Sequence, residues 1–147
     1  MNVQSIMTKR VVTVELDDKL EAVKRIFDNL HFHHLLVVEE GKLFGVVSDR
    51  DLLKALSPNI GTSTESHKDT ATLNKRVHQV VSRNPISLPP EASVLDAVNM
   101  FNTQRISCIP IVDRAGTPVG ILSWRDILRA VVQKPGEFAR LLALREQ

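Results

Sequence analysis

At 147 residues the chain holds one ordinary domain or two small units sharing a core, and its 43% apolar content is that of a globular protein. Its 19 basic and 17 acidic residues, a net charge of +2, are spread along the sequence and give little ground for a nucleic-acid surface, the patch to test being Lys9, Arg10, Lys75 and Arg76. A single cysteine, Cys108, excludes an internal disulfide and a multi-cysteine metal site, and no stretch approaches the ~18 apolar residues of a spanning helix or the h-region of a signal peptide, so a cytoplasmic protein is expected.

In chain order, the short β-branched run at residues 11–14 predicts a strand. Asp17 and Asp18 offer N-caps for a helix in which Leu20, Val23, Ile26, Phe27 and Leu30 share a face. Residues 35–38 and 43–47 flank 39–42 as a hairpin, and 49–56 continues as a helix. The Ser-, Thr- and Asn-rich stretch from residue 57 to about 69 predicts a surface linker, and 70–81 a short helix that opens the second half of the chain. Pro89, Pro90 and Glu91 then suit another helix start. After Lys134-Pro135-Gly136, Glu137 begins a helix in which Phe138, Leu141 and Leu142 share a face; alone it is too short to persist in water, so it must dock.

The order of elements recurs because the sequence does. At an offset of 74, SIMTKRVVTV from Ser5 lies over QVVSRNPISL from Gln79, and HFHHLLVV from His31 over RISCIPIV from Arg105. Beyond Val38 the offset is 75, and GVVSDRDLLKAL from Gly45 lies over GILSWRDILRAV from Gly120. The extra residue falls in a hairpin turn, where an insertion costs least. Each unit reads β-α-β-β-α, and a three-stranded sheet of about 50 residues is marginal alone, so two copies are expected to bury their sheet faces against each other.

Gly45-Val46-Val47-Ser48-Asp49-Arg50-Asp51, its counterpart Gly120-Ile121-Leu122-Ser123-Trp124-Arg125-Asp126, and the strand from Ile106 to Val112 resemble the cystathionine-β-synthase (CBS) domain pair, or Bateman module, over nearly the whole chain outside the linker and the C-terminal dozen residues. The resemblance implies an α/β (α+β) fold of two pseudo-symmetric β-α-β-β-α repeats packed sheet to sheet: repeat 1 at 1–58, a linker at 59–73, repeat 2 at 74–134 and a C-terminal helix at 135–147. It also implies a homodimer and two crossed clefts that take AMP, ADP, ATP or S-adenosylmethionine. One site would join Ser82, Pro85, Ser87, Ile106, Ser107, Cys108 and Pro110 to Ser48, Arg50 and Asp51. The other would join Thr8, Val11, Thr13, Phe32, His33, His34 and Leu36 to Ser123, Arg125 and Asp126.

The residue types suit such a ligand. An ionised Asp51 or Asp126 accepts hydrogen bonds from both ribose hydroxyls. Ser48 and Ser123 sit at strand-to-helix turns, where free N–H groups attract phosphate, and Arg50, Arg125 and His33 are further phosphate candidates. Ile106 and Pro110 would flank adenine. A plainer reading stands beside this one: Ser-x-x-Asp before an apolar helix is also a capping box that binds nothing. The cluster of His31, His33 and His34 lacks an acidic partner at helical spacing, which argues against a metal. Cys108 aligns with His34, but its apolar strand argues for a buried thiol rather than a nucleophile. No nucleophile elbow, Walker A loop or GxGxxG occurs, so no enzyme is expected. The bulkier His33, His34 and Leu36 set against Ser107, Cys108 and Pro110 imply unequal sites, the better one built on Asp51. The leading expectation is a nucleotide sensor acting on a regulated protein not identifiable from the sequence; the alternative is a ligand-free dimerisation scaffold.

Overall fold

The structure, a computed structural model, describes residues 1–145. The first repeat forms β1 (Thr13–Glu15), α1 (Leu20–Asn29), β2 (His34–Glu39), β3 (Lys42–Ser48) and α2 (Asp49–Ala55). Next come α3 (His67–Ala71) and the two-residue strand β4 (Ser82–Arg83). The second repeat forms α4 (Val94–Thr103), β5 (Cys108–Val112), β6 (Pro118–Ser123) and α5 (Trp124–Gln133), and α6 (Pro135–Arg145) comes last. The β2–β3 hairpin turns through Glu40 and Gly41, both at positive φ (52° and 77°), as a two-residue turn matched to strand twist requires. In the second repeat the first strand shrinks to one parallel bridge, Leu88 with Ile111. Leu88 N–H donates to the Pro110 carbonyl at 3.1 Å and Val112 N–H to the Leu88 carbonyl at 3.0 Å, but Pro89 and Pro90 have no N–H with which to extend the ladder.

The two compact units do not coincide with the repeats. One comprises Val12–Pro85, and the other joins Met1–Val11 to the chain from Ile86 onward. The short segment leading into each repeat has crossed to the other repeat's sheet. In the first unit the sheet order is β1-β2-β3-β4, with Ser82 opposite Val46 and Arg83 opposite Gly45. In the second, Thr8 takes the matching place: its N–H donates to the Ile121 carbonyl at 2.9 Å and its carbonyl accepts from Ile121 N–H at 3.0 Å. This crossing explains the glycine at the head of each Gly-x-x-Ser motif. A Cβ on Gly45 would overlap the Ser82 carbonyl oxygen and Val81 Cγ2, and one on Gly120 would overlap Met7 Sδ.

The crossing segments also complete the cores. Val77 is fully buried with Val14, Leu20, Val23, Leu35, Val37, Val47 and Leu52. Val3 is fully buried with Val94, Ala97, Ile109, Ile111, Leu122 and Ala130. Burying a valine contributes about 1.5–3 kcal/mol, enough to hold a segment that has so few ladder bonds.

Several local expectations need correction. The first strand is Thr13–Glu15, starting two residues later and ending one residue later than the β-branched run. Neither Asp17 nor Asp18 caps α1: the N-cap is Lys19, Asp18 accepts from Glu15 N–H at 2.7 Å to close a turn, and the first helical N–H, that of Leu20, donates to the Lys75 carbonyl of the crossing segment. In the second repeat α4 starts at Val94 under a Ser93 cap, not at the prolines. The polar stretch after α2 is more ordered than a plain linker, because Ser57 Oγ donates to Asp69 and Asp69 closes a capping box on Ser66 that starts α3. The helix expected over 70–81 is replaced by two single 3-10 turns, Thr72–Asn74 and Val77–Gln79. Pro135 is the first residue of α6, which docks Phe138 and Leu141 onto the second unit's core but leaves Leu142 exposed; the last two residues of the helix expected at 135–147 lie outside the described residues.

Candidate functional site

The two Ser-x-x-Asp motifs form the same local device with different surroundings. At the start of α2, Asp51 N–H donates to Ser48 Oγ at 3.0 Å and Ser48 N–H donates to Asp51 Oδ2 at 2.9 Å, a complete capping box. Asp51 is partly buried, and its Oδ1 takes no hydrogen bond among the described residues. Arg50 beside it is exposed.

At the start of α5, Ser123 N–H donates to Asp126 Oδ2 at 2.8 Å and Asp126 N–H donates to Ser123 Oγ at 3.2 Å. Here the second oxygen is also taken: Thr8 Oγ1 donates to Asp126 Oδ1 at 3.1 Å and Arg129 approaches it at 3.4 Å. Asp126 is 5% exposed, the one buried charged side chain among the described residues. Thr8 arrives on the crossing segment, so the same exchange that builds the sheet seals this carboxylate. Arg129 was not among the residues singled out from the sequence, although its i,i+3 spacing from Asp126 is a legible signal.

The remaining candidates divide between the units. Ser82 and Pro85 share a unit with Ser48, Arg50 and Asp51, and Ser82 lies on the strand beside β3, which leads into Ser48. Thr13, Phe32, His33, His34 and Leu36 belong to that unit too, with Leu36 buried on β2 and Thr13 exposed. Val11, Ser87, Ile106, Ser107, Cys108 and Pro110 share the other unit with Thr8, Ser123, Arg125 and Asp126. Cys108 and Pro110 are buried on β5, Ile106 is partly buried, and Ser107, like Arg125, is exposed.

β2 begins only at His34, so His31 and His33 do not share a strand face. They line a groove of about 330 Å3 between α1 and α2, with Lys24, Phe27, Asp28, Leu30, Phe32, Asp49, Leu52, Leu53 and Leu56. His33 Nδ1 lies 3.0 Å from Asp49 Oδ2, an acidic partner unmarked by helical spacing because it comes from α2, beyond the β2–β3 hairpin. No group of three His, Cys, Asp or Glu side chains fit to hold a metal occurs among the described residues. Burial holds His34 below its ordinary value, against the opposing pull of the Asp49 carboxylate. Burial likewise pushes the Cys108 thiol up to about 12, far from the thiolate that a nucleophile requires. Lys75 and Arg76 are tied to the Ala55 and Asp17 carbonyls. No helix among the described residues is long and apolar enough to cross a membrane.

The family model for the CBS domain matches residues 3–58 and again 77–133. The chain belongs to the CBS domain family. A CBS domain-containing protein of Dictyostelium discoideum is 26% identical over 133 residues, covering 89% of this chain and 91% of that one. The chain spans less than half of some longer relatives, 45% of one from Methanocaldococcus jannaschii. Among solved structures, the CBS domain pair of protein MJ0100 in complex with 5'-methylthioadenosine and S-adenosyl-L-methionine is 28% identical with a TM-score of 0.69, covering 91% of this chain and 98% of that one. The Arabidopsis thaliana protein CBSX2 in complex with AMP is 24% identical with a TM-score of 0.72, covering 90% and 96%.

Proposed function

We propose that this CBS pair is a regulatory module that binds an adenine nucleotide of the AMP, ADP or ATP class, with Asp51 as the ribose acceptor. The observation that carries the reading is the unequal state of the two carboxylates. Asp51 uses one oxygen to cap α2 and keeps the other open, whereas Asp126 has both oxygens hydrogen-bonded and is 5% exposed. A ribose diol needs an acceptor with a free lone pair, and a charged acceptor contributes about 1.5–3 kcal/mol per hydrogen bond. Relatives that bind AMP or S-adenosyl-L-methionine support adenosine as the shared part of the ligand.

Arg50 favours a phosphate over the sulfonium of S-adenosylmethionine, since its permanently charged guanidinium attracts the one and repels the other. Ser82, carried beside β3 by the crossing segment, and Pro85 are the adenine-wall residues in Asp51's own unit. The site of Asp126, with Ser123, Arg125, Thr8 and Val11 of its own unit, is the weaker one. The protein acts as a cytoplasmic homodimer that responds to occupancy, not as an enzyme, in keeping with a thiol too basic to ionise.

Calorimetric titration with AMP, ADP, ATP and S-adenosylmethionine tests this. A phosphorylated nucleotide is expected to bind with a Kd below about 1 mM, a free energy of about −4 kcal/mol. Failure of all four to do so leaves the ligand-free scaffold.

A further inference from the structure

We propose that the Thr8 side chain is an intramolecular latch on Asp126: its hydroxyl holds the place of a ribose hydroxyl, so this site fills only at nucleotide concentrations well above those that fill the site of Asp51. The latch rests on the nucleotide reading above and adds a regulatory residue to it.

Thr8 and Asp126 are 118 positions apart in the chain, yet both belong to the same compact unit. Asp126 Oδ2 accepts from Ser123 N–H at 2.8 Å and from Ser123 Oγ at 3.1 Å, and these bonds complete the cap of α5. The cap makes no use of Oδ1. At 5% exposure that oxygen has little access to water, and a buried carboxylate oxygen without a donor is costly. Thr8 Oγ1 supplies the donor at 3.1 Å, with the largely exposed Arg129 a longer contact at 3.4 Å. A neutral hydroxyl donating to an ionised carboxylate is the same bond that a ribose diol would make.

The repeat supplies an internal comparison. Ser82 stands opposite Val46 as Thr8 stands opposite Ile121, but Ser82 is exposed and makes no hydrogen bond to Asp51 among the described residues. At Asp51 a ligand hydroxyl therefore replaces water. At Asp126 it must first break a hydrogen bond within the protein, and the gain is the small difference between two like bonds. The latch can open without release of the crossing segment. Backbone bonds of 2.9 and 3.0 Å between Thr8 and Ile121 hold that segment, as does the fully buried Val3. Rotation of Thr8 about χ1 to another staggered rotamer withdraws the hydroxyl alone. Occupancy of Asp126 thus marks a second, higher threshold than occupancy of Asp51.

Calorimetric titration of wild type and Thr8→Ala with AMP and with ATP tests the latch, with circular dichroism as the check on folding. In wild type the second equivalent per chain is expected to bind about tenfold or more weakly than the first. Thr8→Ala is expected to tighten the second step by about tenfold, a gain that a merely structural defect would not produce, and adding Asp126→Asn is expected to abolish it. Without ligand, the stability losses of Thr8→Ala and Asp126→Ala in urea are expected to be non-additive in the double variant. Two equal steps in wild type, a second step in Thr8→Ala no tighter than that of wild type, or additive losses in urea overturn the latch and leave the nucleotide reading standing. No binding of either nucleotide overturns the nucleotide reading and the latch with it.

Discussion

Gly45→Ala probes the crossing of the leading segments directly, because the atoms that forbid a side chain there belong to Val81 and Ser82, from the start of the other repeat. The new methyl group would overlap the Ser82 carbonyl oxygen, which is backbone of β4, and the Cγ2 of a β-branched valine with little rotamer freedom. Neither can step aside without moving the strand, and such overpacking costs about 1–3 kcal/mol. Loss of glycine's freedom in the unfolded chain offsets about 0.4–1 kcal/mol of this. The expected net destabilisation is about 1–2 kcal/mol, or roughly 2–8 °C in Tm for a chain of this size. Gly120→Ala is the internal control: its obstruction is the thioether of Met7, a flexible chain that can re-pack, so its net effect is expected to be within about 0.5 kcal/mol of zero. Urea denaturation followed by circular dichroism measures both. Equal effects, or a neutral Gly45→Ala, would refute the claim that the Val81–Ser82 backbone lies against β3.

The two aspartates should separate in stability as well as in binding. Asp126→Ala leaves the partly buried Thr8 hydroxyl and Ser123 N–H without their acceptor and is expected to cost about 2–3 kcal/mol, against about 1 kcal/mol for loss of the simple cap in Asp51→Ala; equal urea midpoints for the two variants would contradict this. Because burial lowers the pKa of His34 in the folded state, the unfolded chain binds more protons as pH falls through 6.5; the contribution of a neutral His34 is therefore intact above that pH and lost below it. His34→Gln should flatten the fall in stability between about pH 7 and pH 5, and an unchanged slope would place its origin elsewhere. Cys108 should resist a thiol reagent at about pH 8 in the folded protein and react at once in urea; rapid labelling of the native state would show the strand to be open.

The repeat, the β-α-β-β-α order and the docked C-terminal helix were legible in the sequence because hydrophobic period and turn chemistry are local. The crossing was not legible from pattern alone. Residues 1–11 pair through single bridges and 75–85 through one bridge and a two-residue strand, and each stretch fully buries one valine, Val3 and Val77, which is too little to generate a period. The same fact misdirected the helix start, since Leu20 N–H finds its acceptor at Lys75 rather than at a neighbouring aspartate. The repeated Gly45 and Gly120 were the one local trace of the crossing, for an unforced glycine inside a strand signals close approach of another backbone. At the site, Ser-x-x-Asp showed both a cap and a ligand candidate. Which carboxylate keeps an open oxygen depends on Thr8 and Arg129, and Thr8 comes close only through the crossing.

The central claim is that Asp51 holds the ribose of an adenine nucleotide. Asp51→Asn isolates it, because the amide oxygen can still accept from Ser48 N–H and preserve the cap while the charge is lost. In a calorimetric titration with AMP and ATP, wild type is expected to bind at sub-millimolar concentration. Asp51→Asn should bind about 10- to 100-fold more weakly at an unchanged Tm, the equivalent of one charged hydrogen bond of about 1.5–3 kcal/mol. Undiminished binding by Asp51→Asn, or no nucleotide binding by the wild type, would contradict it.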